Sequence, residues 1–478
     1  MVMSMKKITT IPFALAFSTT VFAQQEVPHI FTPSTPAKAA EVNENFDSLN
    51  SRLNELSEKA LPENITIVNV EIDCTENPAA LNEAYLENWY IKDLSFNIKG
   101  SCYGDIDTPR KEEDPSVQVH GQVLGIYGVD DTAELIDNDL TGQVDLLGGF
   151  GGGLYLNNLT IKTSGDFPVF YSRNAAGSVR NVSFIYEGEG YSGDALWIQE
   201  GAQVYLSDLT INGFNGGIRG VNGAVVRSLG NINIENVERG VSLQNSLFRG
   251  RDAVNISASE NAVELDFNSG WEGFDSSLTI SSGNIRVADG STMRTNDLSA
   301  PASRIDVEAS ELGGSNFNIK ELYSQGSTVN IGNSVIAEYL EAHNSSYVSI
   351  YNTQVPAISV QGSSSMGVWE SVVSYYEANK GSFVEFGDVN FEGDVNIWSN
   401  STTFINNSTF NEGSRLNVAS GSFANIFGGS IIAPDQYSCY GGTVDIENVD
   451  VNSETENNCI DSGGMQDMID MYKNSRNN

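Results

Sequence analysis

The chain has 478 residues with 62 acidic against 25 basic side chains, a formal net charge of −37, and only three histidines and four cysteines. So acidic a balance disfavours nucleic acid and anionic membrane surfaces as partners, because both repel a polyanion. The 46 glycines against 12 prolines, in a sequence rich in Asn and Ser, point to many turns between short elements.

Residues 1–23 read as an export signal. Lys6 and Lys7 precede the apolar run "IPFALAFSTTVFA", and Val21 and Ala23 suit the −3 and −1 positions of a cleavage site before Gln24. The mature protein is therefore expected outside the inner membrane, extracellular or on the cell surface, with the periplasm as the alternative. No cysteine follows the run to take a lipid anchor, and no later stretch has the 18 or more apolar residues of a membrane span.

Residues 24–62 form a linker and an amphipathic helix. Thr35 is placed as an N-cap with Pro36 at the first helical position, and Ala39, Val42, Phe46, Leu49, Leu53, Leu56 and Ala60 follow at alternating steps of three and four. This a/d seam ends at Pro62, after about 26 residues or roughly 39 Å of helix. Two readings stand: a coiled-coil neck that makes a homo-trimer through Val42, Phe46, Leu49, Leu53 and Leu56, or a helix folded over the next element as a cap.

From residue 63 to 463 the pattern changes to short alternating runs bounded by Gly, Asn, Asp or Ser. Ile198, Ile218, Val241 and Val263 recur at 20, 23 and 22 residues; Leu209, Ile232, Val254 and Leu278 at 23, 22 and 24; Val204, Val225 and Leu247 make a third series. Farther on, Val329/Ile331, Val348/Ile350, Met366/Val368, Val384/Phe386 and Phe404/Asn406 align at 18 to 20. Each run is too short to bury a face alone, but coils of three strands stacked on their copies share one axial core. The fold class expected is all-β, a single-stranded right-handed parallel β-helix preceded by one N-terminal α-helix. Such a solenoid is one domain despite its length. Asn212, Asn236, Asn255, Asn333, Asn352 and Asn407 fall at repeated turn positions, where amides either stack on one another or simply suit the turn.

The cysteines bracket this region: Cys74 and Cys102 at its start, Cys439 and Cys459 at its end. In an exported chain they read as two local disulfides capping the terminal coils, although four cysteines allow three connectivities. Metal ligation is the competing reading, with neither a C-x-x-C spacing nor an adjacent histidine behind it. Residues 464–478 form a short tail in which Met465–Tyr472 has helical character.

The stretch "FTPSTPAKAAEVNENFDSLNSRL" resembles a segment found just after the signal peptide in many secreted bacterial proteins. The runs "VEIDCTENPAALNEAY", "SFNIKGSCYGDI" and "VQVHGQVLGIYG" resemble the opening of secreted right-handed β-helix proteins of the pectin lyase-like superfamily. The resemblance implies a first coil made of a V-x-C strand, a short helix beginning near Pro78 and an I-x-G-x-C strand. It covers about 60 residues in specific terms, and its fold hosts lyases, hydrolases, adhesins and structural rods alike.

Chemistry must then come from residues. The superfamily's polygalacturonase motifs N-T-D, G-H-G and R-I-K are missing, and Asp130-Asp131 is an isolated pair. His29, His120 and His343 stand in unrelated contexts, and no catalytic residue can be chosen. No cofactor is implied; Ca²⁺ is a candidate only through acidity, since neither an EF-hand nor a glycine-aspartate nonapeptide repeat occurs. "GGFGGG" at 148–153 lacks the lysine of a phosphate loop and opens into a strand. Basic residues do cluster, as Arg219, Arg227, Arg239, Arg249 and Arg251, with Arg227 and Arg249 one 22-residue period apart. Stacked coils would set these two side by side as an anion-binding stripe for a uronate or sulfated glycan, unless nearby carboxylates neutralise them. The function expected is an exported, non-catalytic rod with a structural, adhesive or glycan-interacting role toward a polysaccharide or cell-surface glycan. The alternative is a polysaccharide lyase or glycoside hydrolase acting on acidic polysaccharides.

Overall fold

Parallel pairing of each strand with the strand one coil further on dominates the computed structural model. It describes residues 67–451 except 89–90, 105–122, 138–145, 149–151, 167, 191–192, 420, 429–430, 433–436 and 448–449. The described residues belong to the second of two units, which begins at Ile67. The export signal, the heptad helix with Val42, Phe46, Leu49, Leu53 and Leu56, His29, His120, Cys459 and the tail lie outside the described residues.

Three columns of strands make up the coil stack. The first starts with Val68–Asp73, Asp93–Lys99 and Val123–Gly128. The second starts with Ser101–Tyr103 and Glu134–Ile136. The third starts with Leu146–Gly148, Phe170–Arg173, Asp194–Gln199 and Gly216–Val221 and holds fifteen strands, giving an all-β parallel β-solenoid of about 15 turns. Alternation explains the layering: in Gln203–Asn212, Val204, Leu206, Leu209 and Ile211 are buried while Gln203, Tyr205 and Thr210 face outward. Inward residues stack on like residues, as in Ile218, Val241, Val263, Ile285, Ile305 and Leu322, all essentially inaccessible to solvent. β-branched side chains suit this arrangement because their restricted χ1 packs well on a pleated surface.

The series Leu209, Ile232, Val254 and Leu278 is in register throughout. Three expected alignments are corrected. Ile218 pairs with Leu196, and Ile198 with Gly220. Val204 pairs with Val226, and Val226 with Phe248, so Val225 and Leu247 point outward in the rank of Gln203. Val384 and Phe386 pair with Thr403 and Ile405, which turns Phe404 outward. The reason is the same in the last two cases. Adjacent apolar residues in "VVRS" and "SLFR", and a buried threonine in "TTFIN", make the period-two pattern ambiguous by one residue.

Polar ladders hold the corners. Between the third and first columns, serines are buried one above another. The N–H of Ser246 donates to Ser269 Oγ (3.3 Å), Ser269 to Ser291 (3.1 Å), Ser291 to Ser310 (3.2 Å) and Ser310 to Ser327 (3.2 Å). Each of these amides turns away from the strand ladder and is satisfied by the hydroxyl of the next coil. The coil length read along the ladder falls from 23 and 22 residues to 19 and 17 at Ser291 and Ser310. Between the first and second columns the chain turns through left-handed residues, among them Asn333, Asn352 and Asn407 with φ of 51°, 46° and 49°. Asn352 Nδ2 donates to Asn333 Oδ1 at 2.8 Å, and at the far end of the second column Asn236 donates to Asn212 at 3.1 Å. Asn255, by contrast, bonds Asn233 at 2.8 Å.

At the start of the stack a disulfide joins Cys74 to Cys102. The loop it closes carries the helix Ala80–Asn88, begun by the Asn77 side chain accepting from the Ala79 N–H at 3.1 Å. Leu81 and Tyr85 are buried, with Tyr85 edge-on to Phe96 at 6.4 Å, so the helix lids the first coil. Cys439 is also disulfide-bonded.

Candidate functional site

Outward positions on the third column bring together an aromatic ring, two guanidinium groups and a carboxyl. Register places Tyr171, Trp197, Arg219 and Ser242 in one outward rank, and Asp194, Gly216 and Arg239 in the rank beside it. Tyr171 meets Trp197 edge to face at 5.8 Å and 88°, and the Arg219 guanidinium carbon lies 4.8 Å from the Trp197 ring centre. Arg219 Nη1 also reaches Asp194 Oδ2 at 3.4 Å. Gly216 makes this possible, since a Cβ there would stand 1.9 Å from Asp194 Oδ1. Beyond Trp197, Arg173 pairs with Glu200 and Gln199 with the Tyr171 hydroxyl, fixing one edge of the cluster.

A desolvated carboxyl and unmet hydrogen bonds coincide at this corner. Burial pushes the Asp194 carboxyl above its ordinary range, and Arg219 and then Arg239 pull it only part of the way back. Three buried polar atoms here lack a partner: Trp197 Nε1, Asn215 Oδ1 and Arg239 Nε. Asn215 belongs to the same corner, because its carbonyl accepts from the N–H groups of Glu238 and Arg239 at 3.1 and 2.8 Å. Buried donors and acceptors normally find partners, so these atoms mark a corner whose polar groups the protein does not fully satisfy by itself.

The sequence-derived pair is arranged differently. Arg227 and Arg249 are direct neighbours on the outer face of the first column. Arg227 lies over Tyr205 at 5.6 Å, whereas Arg249 Nε is 2.8 Å from Glu272, both about half exposed. The two arginines are thus side by side, and one of their two charges is matched by a carboxylate from the following coil. Asp130 serves its turn: its Oδ1 accepts from the Thr132 N–H at 3.0 Å and hydroxyl at 2.5 Å, which holds the carboxyl below its usual value. His343 contacts Glu341 and lies 5.3 Å from the Tyr323 ring.

Asp194, Trp197, Arg219 and Arg239 were not chosen from sequence as a group. Arg219 and Arg239 stood in the basic cluster, and Trp197 precedes Arg219 by 22 residues, the same period that drew attention to Arg227 and Arg249. The missing step was the register of column three, which Ile198 misplaced by two residues.

Among the described residues no group of His, Cys, Asp and Glu is arranged to hold a metal, and no helix is long and apolar enough to cross a membrane. No protein-family model matches the chain, and no curated protein is significantly similar to it.

Proposed function

We propose that this β-solenoid is an exported, non-catalytic glycan-binding protein that takes an anionic polysaccharide on the outer face of its third column. The observation that carries the reading is the Trp197 corner: the aromatic pair Tyr171 and Trp197 with the Arg219 guanidinium stacked on the Trp197 ring, and Arg239 close enough to act on Asp194, cations suited to a carboxylate or sulfate. The lysine-led apolar N-terminus and the disulfides support export. The openings "VEIDCTENPAALNEAY" and "SFNIKGSCYGDI" support kinship with the pectin lyase-like superfamily. Trimerisation through Val42, Phe46, Leu49, Leu53 and Leu56 belongs to the same reading and would add avidity for a repeating ligand.

A second reading, a lyase or hydrolase of acidic polysaccharides, is favoured by Asp194, whose raised proton affinity is the usual preparation of an acid catalyst. Titration calorimetry with oligogalacturonate, oligoalginate and a sulfated oligosaccharide separates the two. Binding without new reducing ends or unsaturated products is expected, and Trp197→Ala should weaken it at least about tenfold. Product formation would transfer the assignment to the enzyme reading, and failure to bind any of the three would remove the anionic-glycan reading.

A further inference from the structure

The first column carries, some hundred residues beyond that corner, an outer face of a different kind. Strands Tyr347–Tyr351, Ser365–Trp369, Phe383–Gly387, Thr402–Asn406 and Phe423–Phe427 stack in parallel, and one outward rank reads Tyr347, Ser365, Phe383, Thr402, Phe423. Aromatic rings and small hydroxyls alternate coil by coil. Tyr347, Tyr351 and Phe383 are among the most exposed large hydrophobic side chains of the described chain, at 48, 46 and 43 %.

Ring orientation is fixed by neighbours. Trp369 lies flat across the sheet in space that two glycines leave free. A Cβ on Gly367 would stand 2.0 Å from its Cη2, and one on Gly387 2.7 Å from its Cδ1. A tryptophan laid down on backbone in this way turns its other face to solvent. Phe404, in the adjacent rank, packs between Phe383 and Phe423 with ring centres 5.6 and 6.3 Å away, so the alternate rings are propped as a continuous track.

Two properties define the occupant. The outward positions of these five strands hold one ionised side chain, Glu385, in a protein of net charge −37. The track thus offers an anionic glycan no cation and its acidic surroundings repel one, as they repel a second copy of this chain. Rings on alternate coils recur about every 9.6 Å, two strand spacings. That is close to the advance of a disaccharide along an extended β-1,4-linked chain, in which every second pyranose presents the same face. Ser365 and Thr402 fall between the rings, where hydroxyls of the intervening sugar need partners.

We infer that the outer face of the first column between Tyr347 and Phe427 is a second binding surface, for the flat face of a neutral, extended β-1,4-linked polysaccharide lying parallel to the stack. It is independent of the anionic site at Trp197 and stands if that site fails.

The test uses the full mature chain and depletion from solution by microcrystalline cellulose and by crystalline chitin, with granular starch and a pectate gel as controls. Retention on cellulose, chitin or both is expected, with neither control retaining the protein through this face. Trp369→Ala/Phe383→Ala should lower the partition at least about tenfold, and the exposed single change Phe383→Ser should lower it by a smaller factor with unchanged circular dichroism and melting. Trp197→Ala should leave it unaltered. Absence of retention on both β-linked solids, or equal retention of the variants, would overturn the inference. So would a dimer in light scattering that the double variant dissolves, since that would assign the face to a second copy.

Discussion

The Trp197 corner and the Trp369 track are built on the same backbone plan and present opposite chemistry. In both, glycine clears room for a large or charged side chain to lie on the sheet: Gly216 on the next strand beside Asp194, and Gly367 on the same strand with Gly387 on the next beneath Trp369. In both, the inward ranks are stacked, mostly apolar residues with little or no solvent access. The corner adds Arg219, Arg239 and Asp194, whose carboxyl burial pushes upward; the track adds rings and hydroxyls and almost no charge. Because side chains alternate in and out with period two, the inward set can be conserved in character for packing while the outward set changes freely from coil to coil. The difference between the two faces therefore costs the fold nothing and is where a function is written.

The largest effect expected comes from a charge inside the stack between the two faces. Val263 is fully buried between Val241 and Ile285, and Val263→Asp would place an unpaired carboxylate there at a cost of about 4 kcal/mol or more. Each coil touches only its neighbours, so the damage should be local. Hydrogen exchange followed by mass spectrometry should show lost protection in the strands Ile232–Gln244, Val254–Asp266 and Leu278–Ala288, with protection kept over 347–427. Anionic-glycan binding should fall and cellulose retention persist. Uniform loss of protection across the stack would mean that the two faces share one cooperative unit.

How far this comparison was legible in the sequence depends on which rank is considered. Leu209, Ile232 and Leu278 are flanked by polar neighbours and Val254 by Ala253 and Asn255, so their period fixes both spacing and facing. Val225-Val226 and Leu247-Phe248 are apolar pairs, and alternation cannot say which member turns inward; only Val226 and Phe248 do. Phe404 looked like core because it is the most hydrophobic residue of its run, yet Thr403 takes the inward place at no solvent exposure. Outward function was harder still. It requires exact register across three strands to put Asp194, Gly216 and Arg239 in line, and a pattern of unmet hydrogen bonds that spacing does not encode. The serine ladder, in contrast, was half visible, as serines recurring at turns without a stated partner.

A medium effect should come from pH, and it belongs to the corner alone. The folded state raises the proton affinity of Asp194, so between the ordinary carboxylate range and the raised value the folded chain holds a proton that the unfolded chain has released. In that window stability contributed by this group declines as pH rises, and above it the penalty is complete. Binding of a sulfated oligosaccharide, whose charge does not titrate there, should likewise strengthen as pH falls and Asp194 becomes neutral. Asp194→Asn should flatten this profile and leave cellulose retention unchanged at every pH. A variant that keeps the parent profile would show that another group sets it.

The smallest effect is expected at Arg249, and it sharpens the comparison by separating a visible stripe from a working one. Arg249 and Glu272 are about half exposed and 2.8 Å apart, a surface ion pair of the kind worth about 0–1 kcal/mol. Arg249→Ala should lower the melting temperature little and change neither oligogalacturonate affinity nor cellulose retention. Arg239 differs from it in having a buried Nε with no partner beside a desolvated carboxyl, so Arg239→Gln should weaken anionic binding where Arg249→Ala does not. If calorimetry finds the two variants equally impaired, basic charge alone attracts the ligand. If only Arg249→Ala is impaired, the first column's stripe is the anionic site and the third column's corner is not. What decides between these two arginines, on successive columns, is thus whether the protein already supplies the anion.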